Sequence, residues 1–435
     1  PQTMFRGIKK VLPGHYLLVE NGYLRESKYW DFDTVDCAEE GFKEASRRIE
    51  ELLGDAVTKR LMSDVPLGVF LSGGLDSSAV VGLMNNAAGD DAINTFTVSY
   101  RDGFSEESYA RTIADKFKTN HHISYLEAED FFCSLKTMVA FAEEPIVEPA
   151  AIALYHISKL AREKAIVLLS GEGCDEVFAG YHLYKYMSKI DLFHRHLPGV
   201  IKELIKSFNG CLPRDKYRKF ADWLASPLEV RYQGTSCYLT PSLKKNIYTR
   251  DFLSEKSTYL DDVFSQHFNR VRHKDILSQM LYVDTKTWLV DDLLLKADKM
   301  TMAASIELRV PFLDYRLVEA AAALPPHYKI NKGEGKYIFK KIAEPWLPRE
   351  IVYRKKMGFP VPTENWFKGE IFSEAETVLR VFKDSPFVNY ATIQNMLVQH
   401  KRGVEDHSRF ISSPVLPPIL LVSQLEERKP VSKSL

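Results

Sequence analysis

The segment Gly68-Val69-Phe70-Leu71-Ser72-Gly73-Gly74-Leu75-Asp76-Ser77-Ser78 does more than any other to limit what this chain can fold into. A short apolar run empties into two glycines and then into a helical pattern, which predicts a buried strand, a loop and a helix N-terminus in immediate succession. Adjacent glycines permit positive φ and close backbone approach. Successive amides and the helix N-terminus can then face a pyrophosphate, with the hydroxyls of Ser72, Ser77 and Ser78 as further donors. Asp76 is out of place in such an anion cradle, because a carboxylate repels phosphate unless a cation lies between them; this predicts that Asp76 holds Mg²⁺. An ordinary strand-to-helix turn with a capping serine is the plainer reading, but it requires neither the acid nor both glycines.

Short apolar runs then alternate with amphipathic stretches, the pattern of an α/β fold built on a parallel, Rossmann-like sheet. Strands are expected at 68–71, 95–100, 122–126 and 166–169, and helices over 37–61 and near 75–86, 106–117, 130–142 and 150–163. Ser105, ahead of Glu106-Glu107, reads as a helix cap with acids in the first turn, where the dipole favours them. Beyond Val177 the chain reads as largely helical, with breaks at Pro198, Pro213, Pro227 and Pro241, and the tail 429–435 reads as disordered. Near the start, residues 15–20 followed by Asn21-Gly22 predict a hairpin. A lone hairpin is marginal in water, so residues 1–33 read as the remnant of a larger preceding domain and 34–435 as the main one.

A second segment repeats the logic of the opening motif. Ile166-Val167-Leu168-Leu169 reads as a buried strand, and Ser170-Gly171-Glu172-Gly173-Cys174-Asp175-Glu176 follows it. In a parallel sheet both loops leave the carboxyl edge, where ligands bind at a reversal of strand order, so Asp76 and Asp175 are expected to share a metal that bridges ATP phosphates. There is no Walker A motif, since Gly333-Glu334-Gly335-Lys336-Tyr337 lacks both the spacing and the hydroxyl, and there is no GxGxxG. Kinase, GTPase and dinucleotide signatures are thereby removed.

Bulk charge adds little, because 58 basic and 58 acidic residues cancel and leave nothing to steer the chain toward nucleic acid or membrane. The five cysteines are odd in number, widely spaced and never in a CxxC pair, which argues against a disulfide framework or a structural zinc site. No apolar run approaches the roughly 18 residues that cross a bilayer, and the expected location is the cytoplasm. His121-His122 and His194-Arg195-His196 lack matching ligand spacing for zinc.

Ser72-Gly73-Gly74-Leu75-Asp76-Ser77 resembles the PP-loop signature of the N-type ATP pyrophosphatases, which cleave ATP between the α and β phosphates. The second loop, extended to Val177-Phe178-Ala179-Gly180-Tyr181, is similar to that of the asparagine synthetases. So are Ala304-Ser305-Ile306-Glu307-Leu308-Arg309-Val310-Pro311-Phe312-Leu313-Asp314, the pair Gly335-Lys336, and Arg354-Lys355-Lys356-Met357-Gly358-Phe359-Pro360. The likeness covers nearly the whole chain in the right order. It departs at Cys174 and Ala179, which replace small residues more usual there, and at Glu143-Glu144-Pro145-Ile146-Val147-Glu148-Pro149, where some asparagine synthetases are rich in Thr. The glutaminase domain of that family begins with a nucleophilic Cys after Met; the first thirty or so residues here resemble only that domain's tail.

What the resemblance implies is a glutamine-fed amide ligase. Aspartate attacks the α phosphorus of ATP, pyrophosphate leaves, and ammonia from the glutaminase domain displaces AMP to give asparagine. ATP is then expected against Phe70, Leu71, Ser72, Gly73, Gly74, Asp76, Ser77, Ser78, Val98, Ser170 and Gly171, with Mg²⁺ on Asp76 and Asp175. Lys336 is expected to reach the reacting phosphate as a mobile cation. Glu172 is expected either to position or deprotonate the amine or to orient the metal. Arg309 is left with two roles, clamping a substrate carboxylate or pairing with Asp314 or Glu307. A homodimer is a further expectation. Two alternatives stand beside this reading: a relative that closes a lactam or isopeptide, like β-lactam synthetases and lasso-peptide cyclases, and a nucleotide-binding module without catalysis.

Overall fold

Strands short enough to be buried on both faces must lie inside a sheet covered on both sides, and this arrangement is what the chain adopts. The computed structural model describes residues 2, 3, 5, 7–88, 92–101, 105–144, 146, 148–209, 215–235, 241–254 and 259–412. The expected break at Pro213 and the tail 429–435 lie outside them, as do Pro145 and Val147 of the acidic stretch.

A hairpin, β1 (His15–Glu20) and β2 (Tyr23–Lys28), pairs antiparallel in unbroken register across Asn21-Gly22. Both its faces are open, with Val19, Tyr23 and Leu24 all well exposed. Helix α1 (Phe42–Arg60) begins five residues later than its apolar spacing suggested. Then come β3 (Leu67–Phe70), α2 (Leu75–Ala88), β4 (Asn94–Ser99), α3 (Glu107–Phe117), β5 (Asn120–Tyr125), α4 (Ala128–Ala142), α5 (Ala150–Ala161), β6 (Val167–Leu169) and α6 (Cys174–Phe178). From β3 to β6 these elements match the expected ones, with bounds moved by one or two residues at most ends, whereas the short helix α6 falls where a loop was expected. Ser105 accepts a hydrogen bond from the Glu107 amide at 3.1 Å, but the N-cap position falls on Glu106, one residue later than expected, and Glu106 makes no side-chain capping bond.

The sheet is five-stranded, in the order β5-β4-β3-β6-β7, and every neighbouring pair is parallel. From β3 the chain moves outward through β4 to β5, then returns to place β6 on the other side of β3. The reversal of strand order therefore falls between β3 and β6, whose registers pair Val69 with Leu169. Strand β7 (Glu307–Arg309) was not anticipated; it lies within the segment read as helical and joins the edge beside β6.

Side chains alternate between two apolar layers. Val69 and Leu169 enter the layer that holds the buried faces of α1 and α2, while Phe96 and Leu168 enter the one formed with α4 and α5. A third cluster, around Tyr184, Tyr232 and Met280, gathers helices that follow α6. Pro198 and Pro227 sit immediately before helices and Pro241 opens one, so these prolines do punctuate the helical part. Among the described residues no helix is long and apolar enough to cross a membrane.

Candidate active site

The loop after β3 is tied by its own hydroxyls. Ser77 Oγ accepts from the Ser72 amide at 3.2 Å and lies 3.1 Å from Ser72 Oγ, which in turn accepts from the Gly74 amide at 3.2 Å. Gly73 adopts φ +66°, and a Cβ there would fall 2.4 Å from the Ala110 nitrogen, so the turn needs glycine on both counts. Ser78 is fully buried, its Oγ without a partner among the described residues.

The loop after β6 is anchored where the Ser170 amide donates to the Arg309 carbonyl of β7 at 3.0 Å. The two loops touch at Gly171, where a Cβ would lie 2.7 Å from Asp76 Cβ and 2.8 Å from the Ser77 nitrogen. This contact brings Asp76 and Asp175, at the starts of α2 and α6, to the same side chain. Lys336 Nζ donates to both oxygens of Asp76, at 2.7 and 2.6 Å, and lies 2.7 Å from Asp175 Oδ1. Lys356 Nζ donates to Asp175 Oδ2 at 2.6 Å and lies 3.9 Å from Asp76 Oδ2. Burial works against ionisation of Asp175, but Lys336 and Lys356 outweigh it and hold the carboxyl below its ordinary range.

The cluster lies in a cavity of about 2350 Å³, ample for a nucleotide and a second substrate. Phe70, Leu71, Ser72, Gly74, Asp76, Ser77, Val98, Ser170, Gly171, Glu172, Asp175 and Lys336 all line it; Gly73 and Ser78 do not. Arg309 is also absent from its wall. The guanidinium pairs with Glu307, one of its expected partners, at 2.7 Å and donates to the carbonyls of Arg60 and Met62, at the end of α1, at 2.7 and 2.8 Å. Lys336 is 5% exposed and stands in the left-handed region at φ +52°.

Glu172 carries an oxygen, Oε2, that is buried and has no hydrogen-bond partner among the described residues. Burial pushes its carboxyl up to about 7; Lys296 opposes that rise, while Glu148 and Asp292 add to it. Lys296 and Glu148 were not singled out in the sequence. They form an ion pair at 2.5 Å on the cavity wall, Lys296 almost wholly buried. Lys296 stands two residues after the end of a π-helical turn, Leu289–Leu294, and such a turn shifts the helix face that a side chain occupies. The signals were faint: a Glu in the stretch that departs from the Thr-rich form, and a Lys in a helix with two other charges, Asp298 and Lys299.

No group of three or more His, Cys, Asp or Glu able to hold a metal occurs among the described residues. Magnesium does not need one, because it keeps water and phosphate oxygens and takes one or two carboxylates. Two carboxylates converging on one cation, at the carboxyl edge of β3 and β6, fit that requirement.

Residues 48–426 match the asparagine synthase family model. The chain belongs to the asparagine synthase family. It is 32% identical over 416 residues to asparagine synthetase [glutamine-hydrolyzing] 1 of Bacillus subtilis (strain 168), an alignment that takes in 94% of this chain and 64% of that relative. Asparagine synthetase [glutamine-hydrolyzing] 3 of the same organism is 27% identical over 88% of this chain and 60% of its own length. Amidase chyE of Penicillium rubens is 25% identical over 85% and 61% respectively. The chain thus spans less than two thirds of the length of these relatives.

Proposed function

We propose that this chain is an ATP-dependent amide ligase that adenylates aspartate and transfers ammonia to it, giving asparagine, AMP and pyrophosphate. The observation that carries the reading is the meeting of Asp76, Asp175 and Lys336 across the reversal of strand order, in a cavity also lined by Glu172, whose buried Oε2 has no partner among the described residues. Asp76 and Asp175 are the residues that would hold Mg²⁺, which when bound neutralises charge on the departing pyrophosphate. Lys336 supplies a positive charge beside them.

A carboxylate oxygen of aspartate forms its bond to the α phosphorus as the bond to the bridging oxygen breaks, and that oxygen keeps the electron pair. Ammonia then attacks the acyl carbon, Glu172 accepts the proton lost by nitrogen, and AMP departs. The Glu148–Lys296 pair beside Glu172 suits a zwitterion: Lys296 for the α-carboxylate of the substrate, Glu148 for its ammonium. The names of the two Bacillus relatives support glutamine as the ultimate nitrogen source, with a glutaminase domain delivering ammonia. The open, apolar hairpin offers such a domain a surface on this chain.

Purified protein given aspartate, Mg-ATP and ammonium is expected to release AMP, pyrophosphate and asparagine in equal amounts, read by chromatography. Formation of ADP would refute attack at the α phosphorus, and silence with aspartate would move the substrate to another carboxylate. Loss of one charge-assisted contact costs about 1.5–3 kcal/mol, so Glu148→Gln and Lys296→Met should each raise the aspartate KM roughly ten- to a hundred-fold. The ATP KM should stay near that of the parent.

A further inference from the structure

The segment Arg354-Lys355-Lys356-Met357-Gly358-Phe359-Pro360 crosses the site. Residues 355–360 have no regular secondary structure. One end is pinned. Arg354 Nη1 donates to the Gly73 carbonyl at 3.1 Å, its guanidinium pairs with Glu106, and its centre lies 4.2 Å from the centroid of the Tyr109 ring. Glu106 and Arg354 are both mostly buried, so the strap is fixed to the phosphate loop itself. Two residues on, Lys356 reaches across to Asp175.

The two lysines of the cluster are not equivalent. Lys336 is nearly buried, contacts both aspartates and begins a helix, Tyr337–Ala343. Lys356 has one short contact, its side chain is 35% exposed to the cavity, and its backbone is irregular. When a polyanion enters, the ammonium with less to lose is Lys356. A flexible four-carbon stem lets it turn from Asp175 toward a phosphate entering the cavity. Arg354 keeps the strap from drifting while it does so.

We propose that Lys356 is a second cation for the leaving pyrophosphate, delivered by a strap that Arg354 fastens to the loop after β3. This deepens the ligase reading and rests on it for the identity of the leaving group. As the bond between the α phosphorus and the bridging oxygen breaks, the electron pair goes to that oxygen and Lys356 donates a hydrogen bond to the departing group, keeping its proton. Lys356 touches the leaving group and is in that sense catalytic; Arg354 is a positioning residue.

The test reads pyrophosphate binding and so does not depend on turnover. Magnesium pyrophosphate and, separately, AMP are titrated calorimetrically into the parent chain, Lys356→Gln, which keeps a donor for Asp175, and Lys356→Arg, which keeps the charge. Lys356→Gln is expected to weaken pyrophosphate at least tenfold and AMP less than twofold, while Lys356→Arg stays within threefold for both. Equal losses for the two ligands, no loss at all, or a loss in Lys356→Arg as large as in Lys356→Gln would overturn the proposal. Should a variant fail to fold, the parent chain can be treated with an amine-acylating reagent with and without magnesium pyrophosphate. Mass spectrometry should find Lys356 protected, and an unprotected Lys356 overturns the idea. If pyrophosphate binds through Lys356 yet no amino acid provokes its release from ATP, the ligase reading falls and this one stands.

Discussion

Glu172 is the residue on which pH dependence should turn. Its carboxyl, pushed up to about 7 mainly by burial, is protonated at mildly acidic pH and cannot then accept a proton from nitrogen. Turnover with ammonium is expected to rise as pH passes upward through about 7, and Glu172→Gln should flatten that rise and cut kcat by roughly 10²–10⁴. A kcat profile of Glu172→Gln that still climbs through neutrality would assign the base elsewhere. The same shift bears on stability: a carboxyl with a raised folded pKa stabilises the fold most below its ordinary range near 4.5, and that contribution is lost as pH rises through about 7. Much at this scale was legible in the sequence. Asp76, Asp175 and Glu172 stand out as acids beside glycines, where no turn requires them. Glu148 and Lys296 were not legible, because an ion pair between residues 148 apart leaves no local trace, and a π-helical turn defeats 3.6-residue spacing.

The elements that matter most are the two loops at the carboxyl ends of β3 and β6, and their fit depends on a missing side chain. Gly171→Ala would put a methyl within 2.9 Å of backbone and Cβ atoms of the other loop, and neither loop can retreat without moving Asp76 or Asp175. The expected result is a large rise in the ATP KM with little change in the melting temperature, because the apolar layers lie beneath the loops rather than in them. Steady-state kinetics beside a thermal melt would separate the two effects. β3 was easy to read because four residues, all half-buried or buried, run straight into the glycines. β7 escaped notice for the opposite reason. Three residues, Glu307 to Arg309, carry two charges and are too few for their charged-apolar-charged alternation to stand out, and only pairing with β6 makes them a strand.

At the scale of the whole molecule, binding should be visible as stability. A ligand that binds only the folded chain adds about 2.7 kcal/mol at a hundred times its Kd. Mg-ATP is therefore expected to raise the melting temperature of the parent chain by a few degrees. Asp175→Asn, which takes charge from the cluster that Lys336 and Lys356 share, should lose most of that rise. An equal rise in both proteins would remove Asp175 from the nucleotide site.

The edge strand β7 has a consequence for synthesis. The Ser170 amide finds its acceptor in Arg309, and the cations of the aspartate cluster come from positions 336 and 356. A ribosome that has released β3 through β6 has therefore made most of a sheet but left its reactive corner open, with two acids facing each other and no cation between them. Assembly of that corner has to wait for the last third of the polypeptide, so truncated products would carry a nucleotide cradle incapable of closing on its ligand.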